Sequence, residues 1–188
     1  MPAPSERLRD DIARVVFDEQ TLAARVADLG GRISEDYAGT RPILVGVLQS
    51  VVVFMADLLR QITIPVAVDF MSISHYQPRP GAGSAVGSVR ITRDLEQAIT
   101  DRHVLFVEDV IDTGLTLGYL LRTLRTRRPA SLEVCVLFDR PYRRLIDIPV
   151  AYPGLVLPDE FVVGYGLDQD GYYRNLPFVG IPRHTPRS

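Results

Sequence analysis

VLFVEDVIDTGLTL, residues Val104 to Leu117, is the stretch whose reading decides the fold. An apolar run, His103 to Val107, has the composition of a buried strand, and it runs directly into the adjacent carboxylates Glu108 and Asp109. Asp112 follows, and Thr113-Gly114-Leu115-Thr116 turns the chain into a helix expected over Thr116 to Arg127. The first-turn amides of such a helix, its dipole and two hydroxyls form a cradle for a phosphate monoester. A carboxylate pair beside it suits sugar hydroxyls or a hydrated Mg²⁺. The stretch therefore predicts a phosphorylated-sugar site at the carboxyl end of a strand.

Working outward, strand and helix patterns alternate on both sides. Leu22, Val26, Leu29, Ile33 and Tyr37 recur at helical spacing between Glu19 and Tyr37. Ile43 to Leu48 reads as a strand, Val51 to Ile62 as a helix stopped by Pro65, and Val66 to Ile73 as a second strand. Leu132 to Phe138 makes a fourth, with Cys135 inside it as a buried residue. Runs apolar on both faces and joined by helices predict an α/β fold with a mostly parallel sheet covered by helices on two sides. His75 to Val89, rich in Pro, Gly and Ser, is a long loop of the kind that serves as a lid. The Pro-rich tail is expected to form a small hood over the sheet edge, to which the N-terminus could contribute. One domain is expected over 1–188, with its core over about 19–148 and the hood over about 149–183.

Composition narrows the chemistry. The chain has 188 residues, 46% hydrophobic and 23% charged, which fits a globular protein. Its formal net charge of -2 makes no electrostatic case for nucleic acid or an anionic membrane surface. All 21 basic residues are arginines, so a Schiff-base or phosphate-binding lysine is excluded. The one cysteine excludes an intrachain disulfide and a cysteine-based zinc site. Met1 to Asp11 lacks the apolar run of a signal peptide, and a cytoplasmic protein is expected. Asp109 and Asp112 are separated by two residues, which is the wrong spacing for an aspartyl-phosphate phosphatase. His75, His103 and His184 are read as ordinary surface or strand histidines.

Glu108 to Thr116 resembles the ribose-phosphate signature of the type I phosphoribosyltransferases, specifically their hypoxanthine-guanine branch. Val45 to Leu48, Phe54 to Leu58, Asp69 to Met71, Ser74 to Tyr76 and Pro158 to Pro177 resemble the same branch in the same order. The resemblance implies a transfer that joins hypoxanthine or guanine to 5-phosphoribosyl 1-pyrophosphate with Mg²⁺, giving a purine nucleotide and pyrophosphate. It implies that Glu108 and Asp109 hold the ribose hydroxyls, partly through the metal, and that Asp112, Thr113, Gly114, Leu115 and Thr116 bind the 5-phosphate. Asp112 is the implied catalytic residue, facing N7 of the base as proton acceptor. Gln49, Ser50 and Arg174 are implied at the pyrophosphate. Val110, Arg140, Phe161, Val162 and Asp168 are implied at the purine, Asp168 also at the metal or its water. Ser74 and Tyr76 belong to the root of the lid. A homodimer or homotetramer is usual in that family.

Two places depart from the pattern. Leu48-Gln49-Ser50-Val51 stands where the family has leucine, then lysine or asparagine, then glycine, then serine or alanine. The family's loop carries an unusual cis peptide here, so the Ser50 side chain is expected to restrict the loop or narrow the pyrophosphate pocket. Arg140 stands in place of a lysine that contacts the purine O6, and a planar guanidinium is not equivalent to an ammonium. The loop departure motivates an alternative reading, a non-catalytic sensor of the phosphoribosyl donor or a nucleotide on the same fold.

Overall fold

The computed structural model describes residues 8–76 and 88–184. Its centre is a six-stranded sheet in the order β4-β3-β2-β5-β6-β7, formed by β2 (Ile43–Leu48), β3 (Ala67–Tyr76), β4 (Ser88–Arg93), β5 (His103–Ile111), β6 (Ser131–Asp139) and β7 (Tyr152–Val156). Every pairing is parallel except β3 with β4. Alternation along the strands supplies two apolar faces. Leu44, Leu105, Val107, Cys135 and Leu137 pack towards α1 (Glu19–Asp36) and α2 (Val52–Gln61). Ile43, Val45, Phe106, Val134 and Val136 pack against α3 (Leu115–Arg125). The predicted two-sided α/β sheet is the observed one.

Local chemistry sets the helix ends. Asp18 caps α1 by accepting from the Thr21 amide at 2.8 Å, and the predicted stripe Leu22, Val26, Leu29 and Ile33 is buried. Leu117, Leu120, Leu121 and Leu124 of α3 are buried, and Arg122 and Arg125 stand in its last turn, where cations complement the dipole. Gly114 precedes α3 at φ +80°, in the left-handed region, and a Cβ there would meet Ile148 at 3.1 Å. Among the described residues, no helix is long and apolar enough to cross a membrane.

Two boundaries differ from the sequence reading. β5 does not end at Val107 but continues to Ile111, because β6 pairs with it as far as Ile111 with Asp139. The predicted hood over 149–183 starts later, since Tyr152–Val156 joins the main sheet as an edge strand paired with Cys135 to Asp139. A Cβ on Gly154 would meet the Leu137 carbonyl at 2.1 Å, so glycine lets this strand seat against β6. The hood proper pairs β1 (Ile12–Phe17) antiparallel with β8 (Val179–Pro182), over a small core of Ile12, Val163, Leu176 and Phe178. The N-terminal segment is thus a hood strand, and Phe161 to Tyr165 is irregular chain with isolated bridges.

The lid expected over His75 to Val89 lies largely outside the described residues; its root is β3 against β4, with Tyr76 opposite Ser88 and the Ser74 side chain exposed. Buried Asp69 in β3 accepts from the Glu96 and Gln97 amides at 2.8 Å each, tying the chain after β4 back to the sheet.

Candidate functional site

β2 pairs with β5 only as far as Gly46 with Val107. Beyond that point the β2 side of β5 is open, and Glu108 to Asp112 face the turn after β2. This is where the sheet order reverses, between two strands whose connections run to opposite sides, the usual place for a ligand in a parallel α/β sheet. A cavity of about 510 Å³ opens there, lined by Leu48, Gln49, Ser50, Glu108, Asp109, Asp112, Thr113, Gly114, Thr116, Asp168 and Arg174 among others. A second cavity of about 260 Å³ adjoins it, walled by Val110, Arg140, Leu157, Phe161 and Val162. Both cavities share Ser50, Asp109, Val110, Asp112 and Asp168.

The structure therefore brings together almost every residue singled out in the sequence. Leu115 is the exception on the phosphate side: it is exposed and does not line the cavity with its neighbours. Ser74 lies at the lid root and lines neither cavity, and the Tyr76 side chain lies outside the described residues. Phe161 is 39% exposed and faces the smaller cavity, which separates it from a core aromatic.

The acidic pair is held in an unfavourable state for charge. Glu108 is only partly covered as a residue, yet its Oε2 is shielded and has no hydrogen-bond partner; the same holds for Asp109 Oδ2. Burial pushes the Glu108 carboxyl well above the usual carboxylate range, and the neighbouring Asp109 charge adds to this. Burial also raises Asp109, against which the Ser50 hydroxyl, nearby backbone amides and Arg174 act. Asp112 Oδ1 is likewise shielded and unpartnered. Two guanidiniums stand near it, Arg143 Nη1 at 3.7 Å and Arg140 Nη1 at 4.0 Å.

Asp168 and Arg174 form an ion pair at 2.7 Å, and Arg174 Nη1 also donates to the Gly166 carbonyl at 2.7 Å. Asp168 accepts from the Gly171 amide as well, so it is engaged by protein donors while lining both cavities. Among the described residues no three metal-ligating side chains converge. Glu108 and Asp109 remain as hard oxygen donors, and Mg²⁺ needs only one or two carboxylates when substrate and water supply the other oxygens.

At the departures, the peptide between Leu48 and Gln49 is cis, as the family resemblance implied, with Ser50 present. Val51 turns into the core, fully buried against Gly46, and does not crowd the cavity. Ser50 lines both cavities beside Asp109, and its hydroxyl acts to lower the Asp109 carboxyl against the effect of burial. Arg140 lines the smaller cavity, its Nη2 donating to the Glu160 carbonyl at 2.8 Å while its Nε is buried without a partner.

Sequence reasoning missed two residues. Arg143 follows Pro141 in a short 3-10 turn and reaches Asp112, but nothing in a run of loop arginines reveals which one points inward. Gly166, at φ +96°, lies so close to the loop after β2 that a Cβ would meet the Ser50 carbonyl at 2.2 Å. No local signal marks that long-range contact.

A mostly parallel sheet with an acidic strand end, a glycine turn into a helix and a second cavity under the hood is the architecture of the type I phosphoribosyltransferases. The phosphoribosyl transferase domain family matches residues 15–170, and the chain belongs to that family. Within it the chain belongs to the hypoxanthine-guanine branch. It is 44% identical over 174 residues to the hypoxanthine-guanine phosphoribosyltransferase of Streptococcus agalactiae, covering 93% of this chain and 95% of the relative. It is 46% identical over 169 residues to the hypoxanthine phosphoribosyltransferase of Salmonella typhimurium, covering 88% and 93%. The crystal structure of a Staphylococcus aureus hypoxanthine phosphoribosyltransferase superposes with a TM-score of 0.87 at 38% identity, covering 94% of this chain and 95% of the other.

Proposed function

We propose that the protein is a purine salvage transferase that joins hypoxanthine or guanine to 5-phosphoribosyl 1-pyrophosphate, giving IMP or GMP and pyrophosphate. The observation that carries the reading is the junction at Asp112, which lines both the acidic cavity and the aromatic-walled one. A sugar-phosphate donor in the first and a flat base in the second meet at this carboxylate. A ring nitrogen of the base bonds to the ribose carbon, the bond from that carbon to pyrophosphate breaks, and Asp112 accepts the proton at N7. Its unpartnered Oδ1 suits an acceptor that waits for a substrate proton.

The remaining residues bind and orient. Thr113, Gly114 and Thr116, with the Leu115 backbone amide, offer amides and hydroxyls at the start of α3 to the 5-phosphate. Gln49, Ser50 and Arg174 take the pyrophosphate. Phe161 stacks on the base, Val110 and Val162 bound it, and the Arg140 guanidinium donates to O6. Glu108 and Asp109 would hold the ribose hydroxyls and Mg²⁺, and Asp168 would hold the metal or its water. When bound, Mg²⁺ neutralises the acidic pair and polarises the departing pyrophosphate. Ser74 and Tyr76 anchor a lid that excludes water. The reading places the protein in the cytoplasm as a homodimer or homotetramer, symmetric association being the common state of soluble enzymes.

The non-catalytic sensor is not favoured, because relatives matched along nearly their whole length are named as transferases and Val51 does not block the cavity. The test is a turnover assay with the phosphoribosyl donor, Mg²⁺ and each of hypoxanthine, guanine and xanthine. Nucleotide formation from the first two, reduced about 10²- to 10⁴-fold in a folded D112A or D112N variant, supports the proposal. Purine nucleotide binding without any turnover would return the sensor.

A further inference from the structure

Arg143 lines neither cavity, yet it stands closer than any other cation among the described residues to the Asp112 carboxylate. Its Nε and Nη2 are both engaged by Asp159 Oδ1 at 2.5 Å, which leaves Nη1 facing Asp112 Oδ1 at 3.7 Å. The guanidinium thus spans from the strand-end carboxylate to the hood strap that leads into Phe161. The same short turn grips that strap elsewhere: Tyr142 donates to the Leu157 carbonyl at 2.7 Å, and Arg140 to the Glu160 carbonyl at 2.8 Å. Arg140, by contrast, lines the smaller cavity and is placed above in contact with the base.

We propose that Arg143 is a positioning residue for the reaction: bridged to Asp159, it holds the Asp112 carboxylate oriented at the junction of the two cavities. This rests on the transferase reading above. The physical reason is that Asp112 Oδ1 has no hydrogen bond of its own, so its orientation before substrate arrives depends on the guanidiniums facing it, of which Arg143, tied to Asp159, is the nearer. The planar fork lets one end stay anchored on Asp159 while the other faces Asp112, which an ammonium can do only in part.

The experiment compares steady-state kinetics of the full chain and its R143Q, R143K, D159N and D112N variants, with the phosphoribosyl donor, Mg²⁺ and hypoxanthine, alongside melting curves. R143Q is expected to lower kcat about 10-fold or more with the KM for the donor changed less than about 2-fold, the signature of a loss realised in the transition state. R143K is expected to recover a substantial part of that loss. D159N is expected to lower kcat in the same direction and no further than R143Q, because it frees the guanidinium that the bridge holds towards Asp112. In a D112N background R143Q is expected to add almost nothing, since residues acting through one another are not additive. A wild-type kcat in R143Q overturns the inference. So does a wild-type kcat in D159N, which would show that the bridge does not hold Arg143 on Asp112, or full additivity with D112N. If R143Q melts early, R143K decides: a loss as large as that of D112N overturns the inference. Wild-type chain that makes no nucleotide overturns the transferase reading itself, whatever the variants do.

Discussion

Glu108 is the residue at which stability and function pull apart most plainly. Its carboxyl is raised above the ordinary range by burial first and by Asp109 second, with no protein partner for its shielded oxygen. A folded-state value above the unfolded one means that the native chain holds a proton that the unfolded chain releases as pH rises through the group's ordinary value of 4.5. Stability from this group is therefore full below that pH and is lost as pH rises towards the folded value. E108Q is expected to raise the melting temperature by about 2–12 °C at neutral pH, from about 1–3 kcal/mol for a shielded polar group relieved of its charge. Melting curves at pH 4 and pH 8 check the sign: the gain over wild type should be larger at the higher pH. The same variant is expected to weaken turnover, since it removes a ligand for the ribose or the metal.

At the scale of elements, the decisive contact joins the hood to the turn after β2. Gly166 and Arg174 come from the hood, the Leu48 to Val51 turn from the sheet, and they meet with no room for a Cβ between Gly166 and the Ser50 carbonyl. G166A is expected to displace that turn and raise the KM for the phosphoribosyl donor about 10-fold, with a stability cost of about 1–3 kcal/mol from the left-handed backbone alone. Kinetics with the donor and base varied separately check it. An equal rise in both KM values would mean that the hood as a whole had shifted. The extension of β5 to Ile111 has a similar origin: β6 supplies the hydrogen-bonding partner on one side while β2 stops short on the other, so the carboxylates sit on a strand with one open edge.

For the whole molecule, the cavities are bounded by segments far apart in the chain, from Gln49 to Arg174, and a ligand that fills them ties sheet to hood. Binding to the native state alone raises stability by mass action. GMP at about 100 times its Kd is expected to add about 2.7 kcal/mol and raise the melting temperature by about 5–10 °C. Thermal denaturation with and without nucleotide measures this; an unchanged midpoint at saturating GMP would contradict a purine nucleotide site.

What the sequence determined by itself was everything written in local pattern. The helical stripe of α1, the apolar runs of β2 and β6, the glycine at the start of α3 and the Glu108 to Thr116 motif are each set by neighbours a few residues away, and all stand where their pattern places them. The tertiary structure decided what depends on partners distant in the chain. β7 became a sheet strand because Gly154 lets it approach the β6 backbone, and the N-terminal β1 became half of the hood because β8 offers its edge. Val51 turned into the core while Ser50 turned to the cavity, which a four-residue departure from a family pattern cannot specify. Arg143 reached Asp112 for the same reason: a flexible side chain on a turn takes its direction from the carboxylates that the fold brings to it, and the spacing of residues along the chain carries no record of them.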